Sequence, residues 1–202
     1  MAPYGVNGIF AGDGAATPLT PEECDGLIPA HITQRNELNE FEQRGVEEGD
    51  RWSFSRRRDL LSERFIRTLH KRMFGRVWRW AGTFRKTEKN IGVVDPAQIP
   101  TQLRLLLDDT RYWIEHKTYG PDEICVRFHH RLVAIHPFTN GNGRHARLMA
   151  DLLIVHLGGT RFTWGPANLV AEGDDRQRYI AALRAADEDP NDIEALLMFA
   201  RS

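Results

Sequence analysis

The sequence predicts an all-α fold, a helical bundle with one small β-hairpin, on three observations. Apolar residues recur at helical spacing, as in Leu61, Phe65, Leu69 and Met73, and again in Ile124, Phe128, Leu132 and Ile135. Helix stop and start residues punctuate those stripes, among them Thr20-Pro21, Gly75, Gly120-Pro121, Gly158-Gly159 and Asn191-Asp192. One stretch, FRKTEKNIGVV at 84–94, lacks a helical period; Ile91, Val93 and Val94 favour strand there, and Asn90 and Gly92 favour turns.

A chain of 202 residues suffices for one well-buried domain, or for a domain with a small appendage. The 27 basic and 28 acidic residues balance to a net charge of −1, which leaves no electrostatic footprint for nucleic acid or an anionic membrane. Apolar runs never reach spanning length. The opening MAPYGVNGIFAGDGAATP lacks the basic start and long apolar stretch of a signal peptide. Cys24 and Cys125 lie far apart and outside any metal-type spacing, so the expectation is reduced thiols in a cytoplasmic protein.

In chain order, residues 1–18 read as a loose tail. Residues 19–50 form an N-terminal helical segment: a short helix starting at Pro21, capped by Thr20, then a charged helix capped near Thr33 with Leu38 and Phe41 on one side. Residues 51–202 form the main domain. Residues 51–74 read as one long helix or two, ended by Gly75, with Trp78 and Trp80 assigned to the core. After the hairpin, Pro96 and Pro100 lead into a helix burying Leu103, Leu106 and Leu107. The helix after Pro121 carries the stripe Ile124 to Ile135, with Cys125 in a structural place on its apolar face. Residues 148–157 are apolar almost all round and predict a central helix. Two more helices follow, near Asp174 with Tyr179, Ile180 and Leu183 inward, and after Asn191-Asp192.

Between the last two stripes of the core lies HPFTNGNGRHAR, residues 136–147. A C-cap glycine is ordinary, but it leaves GNGR followed by Arg147 unexplained. Gly141 and Gly143 let a ligand approach the backbone closely. A helix starting near Asn142 offers free N–H groups and the positive end of its dipole. Arg144 and Arg147, three apart in the first turn, oppose that dipole unless a polyanion binds them. The combination asks for a phosphate chain, with His136 close enough to act on what the phosphates carry. His129, His130, His136 and His145 match no common zinc spacing.

His136, Phe138, Gly141, Asn142, Gly143, Arg144 and Arg147 resemble the signature of the Fic family, H-x-F-x-acid-G-N-G-R-x-x-R, at eleven of twelve positions. The wider chain, about residues 17–202, is similar to the bacterial subgroup called mobile mystery protein B, as in WRWAGTFRKTEKNIGV and YIAALRAAD. The resemblance implies a Fic-type helical bundle with a hairpin flap. It implies transfer of AMP from ATP to a hydroxyl of an as yet unidentified protein target, or of the protein itself, with no nucleic-acid or membrane partner. His136 would be the general base, suited by an ordinary pKa of about 6.5. Gly141, Asn142, Gly143, Arg144 and Arg147 would hold the phosphates. Phe138 would anchor the loop. Lys89, Asn90, Ile91, Gly92 and Val93 would dock the target backbone by strand addition. Thr33 and Glu37 resemble an inhibitory motif in which Glu37 would pair with Arg147 in place of ATP; the motif's final position departs, since Leu38 follows Glu37. Asn140 stands where the family has an acid that helps hold Mg²⁺, and a neutral carboxamide holds that ion less firmly. Three outcomes follow from Asn140: AMP transfer with metal held by phosphate and water, an altered transfer such as phosphorylation, or a nucleotide-binding module without turnover.

Overall fold

Helix α6 (Asn142–His156) is the axis of the protein. Ala146, Leu148, Met149, Ala150, Leu152, Leu153 and Ile154 are all buried, so the helix is covered on nearly every side. Around it, in chain order, stand α1 (Pro21–Cys24), α2 (Arg35–Phe54), α3 (Glu63–Phe74), α4 (Ile99–His116) and α5 (Pro121–Ile135), with α7 (Asp174–Glu188) and α8 (Glu194–Arg201) completing the bundle. This computed structural model describes residues 19–89, 94–165 and 173–202.

Local rules account for most helix ends. Thr20 and Glu23 close a capping box on α1, Ser62 accepts from Phe65 N at α3, and Asp192 accepts from Glu194 N at α8. The stretch 51–74 resolves as two helices, separated by residues 55–62. On α2 the inward positions are Leu38, Glu42, Gly45, Gly49 and Ser53, a stripe at spacings of three and four made mostly of small residues. A Cβ on Gly45 would collide with the Met73 carbonyl oxygen, and one on Gly49 would stand 2.5 Å from the Met73 side chain, so α2 lies against α3 nearly backbone to backbone.

One apolar cluster runs from Ile32 to Ala200, with Trp78, Phe74, Phe128 and Phe138 among its largest fully buried members. Cys125 is fully buried in it. Among the described residues β-pairing is confined to two isolated bridges, Leu27 with Trp78 and Phe84 with Phe138. Of the expected hairpin, Asn90 to Val93 lie outside the described residues. Phe84, its first residue, pairs with Phe138 of the motif loop.

Candidate active site

The site is the turn that joins α5 to α6. Helix α5 ends on His136, a non-glycine residue in the left-handed region at φ 49° and ψ 60°, its N–H still bonded to Leu132 O. Such a conformation is uncommon without glycine and needs support from its surroundings. Pro137 follows and prevents the helix from continuing. His136 is 5% exposed, and neither ring nitrogen has a hydrogen-bond partner of good geometry among the described residues. Burial, then the positive charges of Arg85 and Lys89, push its pKa down to about 4, so the imidazole is neutral and holds a free lone pair at pH 7.

The loop is stapled from within. Asn142 donates from Nδ2 to Phe138 O (2.8 Å) and accepts Phe138 N–H at Oδ1 (2.9 Å). Its side-chain amide is thus committed to the loop, and the group Asn142 has left for a phosphate is its backbone N–H. Gly141 N–H donates to Asn140 Oδ1 (2.6 Å), so that group too is engaged. Gly141 sits at φ 79°, and a Cβ there would stand 2.6 Å from the Phe74 ring. Glycine is required by this conformation and by Phe74, rather than by ligand approach alone. The first helical bond runs from His145 N to Gly141 O. The N–H groups of Asn142, Gly143 and Arg144 therefore lack a carbonyl within the helix, the arrangement that binds anions.

Phe138 is fully buried and stacks on His70, ring centroids 3.8 Å apart. His70 receives Gly82 N–H at Nδ1 (3.0 Å), which places its proton on Nε2, and Nε2 donates to Asn140 O (2.9 Å). His145 likewise reaches Ile66 O (3.0 Å). Both are fully buried, and burial holds both pKa values well down, to about 4 for His145. They fix the loop; among the described residues no group of three or more His, Cys, Asp or Glu placed to hold a metal ion occurs.

The two arginines differ. Arg144 pairs with Glu42 Oε2 at 2.7 Å and lies over the Phe74 ring, and Glu42 Oε1 accepts the Trp78 indole N–H at 2.6 Å. Arg147 has no carboxylate partner among the described residues; its guanidinium lies over the Tyr179 ring, 5.4 Å from the centroid. The Tyr179 hydroxyl in turn meets His129 Nε2 at 2.9 Å. Glu37, expected against Arg147, instead accepts Thr33 N–H (3.1 Å) and Gln34 N–H (3.3 Å) at the start of α2. Thr33 serves there through its backbone N–H. The reason is rotational: Glu42 shares the inward face with Leu38 and Gly45, while Glu37 stands one residue off that face.

Lys89 is also committed, its side chain 2% exposed and its ammonium paired with Glu23 at 2.5 Å. Thr87 donates to the other Glu23 oxygen at 2.7 Å. The chain leading to the docking segment is thereby tied to α1. Four residues that sequence reading passed over thus shape the site: Glu23, Glu42, His70 and Arg85. Only Glu42 had a readable signal, a carboxylate four residues after an apolar one and followed by Gly45 and Gly49 on the same face.

A helical scaffold with an anion-binding turn beside a buried imidazole is the class these features define. Residues 60–154 match the Fic/DOC family, and the chain carries a domain of that family. "Protein adenylyltransferase Fic" of Aedes aegypti is 28% identical over 145 residues, 70% of this chain and 27% of its own length. "Protein adenylyltransferase fic-1" of Caenorhabditis elegans is 32% identical over 140 residues, 66% of this chain and 25% of its own. The chain thus spans about a quarter of the length of these curated relatives. The BepC protein of Bartonella tribocorum, a VirB-translocated effector solved with bound AMPPNP, has the same fold, with a TM-score of 0.69 at 17% identity over 90% of this chain and 97% of that one. Fic-1 of C. elegans gives a TM-score of 0.65 at 25% identity over 89% of this chain and 52% of that one. These matches reach the family and not the mobile mystery protein B subgroup.

Proposed function

We propose that the protein is an adenylyltransferase that moves AMP from ATP to a hydroxyl side chain of a protein. The observation that supports this most is the neutral His136 imidazole, without a hydrogen-bond partner of good geometry among the described residues, one loop away from the open N-terminus of α6 and its two arginines. In this reading a target hydroxyl gives its proton to His136 as its oxygen attacks the α-phosphorus. The bond from that phosphorus to the α,β-bridging oxygen breaks, and pyrophosphate leaves with the charge. Arg147, Arg144 and the N–H groups of Asn142, Gly143 and Arg144 face the phosphate chain and stabilise that charge as it develops. The phosphates would in turn raise the His136 pKa from about 4 toward neutrality, where a general base is most effective.

Magnesium would neutralise part of the phosphate charge, and it fits this loop poorly. The only motif-loop side chain offered to it, Asn140, is uncharged and already receives Gly141 N–H. Phosphate oxygens and water would supply the remaining ligands. That observation keeps a second reading in play: a Fic-like protein with an altered transfer, or a module that binds nucleotide without turnover. We also assign the restraint of the site to α2, through Glu42 in place of Glu37, since ATP must take Arg144 from Glu42.

One experiment separates these readings. The protein and its His136→Ala form are incubated with α-labelled or γ-labelled ATP and a lysate. Protein label from the α position alone, lost in His136→Ala while ATP still binds, is the expected result. Label from the γ position alone means phosphorylation, and saturable ATP binding without label means a binding module; either overturns the adenylyltransferase reading.

A further inference from the structure

Arg85 has no place in the chemistry above, yet it is 3% exposed and its guanidinium lies against the site backbone. Its Nε donates to the carbonyl of His136 at 2.7 Å. Its terminal nitrogens donate to Thr87 O (2.9 Å), Val94 O (2.5 Å) and, more weakly, Ile135 O (3.5 Å). Its own N–H donates to Pro137 O at 2.9 Å. Among the described residues no carboxylate pairs with it. A buried guanidinium is costly unless its donors are satisfied, and here backbone carbonyls satisfy it, two of them at the negative end of the α5 dipole.

We propose that Arg85 is a positioning residue for the transfer reaction, locking the backbone of His136 and the two flanks of the docking segment into one frame. This rests on the adenylyltransferase reading. An ordinary C-capping side chain would meet the helix end only. Arg85 meets the carbonyl of His136 itself, and also the carbonyls of Thr87 and Val94, which flank the segment expected to dock the target. The proton acceptor and the incoming hydroxyl are therefore referred to one planar group. Arginine suits the task because its donors point in fixed directions from one plane; a lysine ammonium reaches fewer carbonyls and does not hold them in register. The left-handed backbone at His136 calls for such support, because a residue with a side chain adopts it uncommonly. The Arg85 charge, together with that of Lys89, also helps to keep the imidazole unprotonated.

The test uses Arg85→Lys and Arg85→Met in the full chain. Four quantities are measured: transfer of α-label to lysate protein at saturating ATP, ATP affinity by calorimetry, the His136 imidazole titration by NMR, and thermal unfolding. Both variants should lose about tenfold to a hundredfold in transfer, as expected for misplacement by about 1 Å, with ATP affinity unchanged. Arg85→Met should raise the His136 pKa, and Arg85→Lys should leave it low while transfer still falls, which separates the frame from the charge. If Met fails to fold, the Lys variant carries the test alone. Transfer unchanged in Arg85→Lys, or reduced only in step with ATP affinity and folded fraction, overturns the proposal. If the unaltered protein labels nothing, the adenylyltransferase reading fails by itself. An unshifted His136 resonance in Arg85→Lys then refutes the frame independently.

Discussion

Glu42→Gln should weaken the fold and strengthen nucleotide binding at once. Glu42 is 6% exposed and serves two donors, the Trp78 indole at 2.6 Å and Arg144 at 2.7 Å. Glutamine keeps the shape, and its carbonyl can still accept from Trp78. Its amide then faces Arg144, donor against donor, and a charge-assisted bond worth about 1.5–3 kcal/mol is lost. For a chain of this size each kcal/mol shifts the melting temperature by about 2–4 °C, so a fall of about 3–12 °C follows. The same contact no longer competes with phosphate for Arg144, so ATP should bind about ten- to a hundredfold more tightly. Calorimetric titration with ATP and thermal unfolding without it read the two effects separately. A lower melting temperature with unchanged or weaker ATP binding would show that Glu42 is only a brace between α2 and the core. Glu37→Ala is the control: it removes the oxygen that accepts the Thr33 and Gln34 N–H groups, costs about 0.5–2 kcal/mol, and should leave ATP affinity alone.

Acid should destabilise the protein early. His70, His129, His136 and His145 all have depressed folded-state pKa values, about 3 for His129 and about 4 for His136 and His145. The unfolded chain, with histidines near 6.5, therefore takes up more protons as pH falls through that value, and stability drops between about 6.5 and 4, by up to about 1.4 kcal/mol per pH unit for each histidine. A urea midpoint that is the same at pH 7.5 and pH 5 contradicts this. Glu23→Gln should release Lys89 from its buried pair, making it react faster with an amine-acylating reagent and lowering transfer to protein with ATP affinity unchanged; unaltered Lys89 reactivity refutes the tie between α1 and this strand of chain. Gly45→Ala should destabilise by about 1–3 kcal/mol or more, since its new methyl meets the Met73 carbonyl; unchanged unfolding would mean that α2 can retreat from α3 freely.

Much of the architecture was legible because it is local. The stripe from Ile124 to Ile135, the apolar run after Arg147 and the caps at Thr20 and Asp192 each lie within one turn or two of chain, and the helices formed where those signals fell. The loop was legible as a unit for the same reason: His136 ends one helix, Gly141 starts the next, and both arginines fall in its first turn. What spacing left open was the use of particular groups. The Asn142 side chain bonds Phe138, because a buried loop must satisfy its own backbone, and only its N–H is left for a phosphate. Lys89 looked like part of an exposed edge, but a carboxylate 66 residues earlier claims it.

By itself the sequence determined the all-helical class, the position of the turn between α5 and α6, and the chemical kinds gathered there: one imidazole, two guanidiniums, and a helix start rich in N–H groups. Those follow from periodicity and spacing, which act over a few residues. Only the tertiary structure decided which charge neutralises which. Glu42 meets Arg144 across 102 positions, and Arg85 reaches His136 across 51. Such pairings depend on how helices rotate and how closely they pack, set here by glycines on α2 and by the αL turn at His136. The energy that chooses between Glu37 and Glu42 appears only once those helices meet.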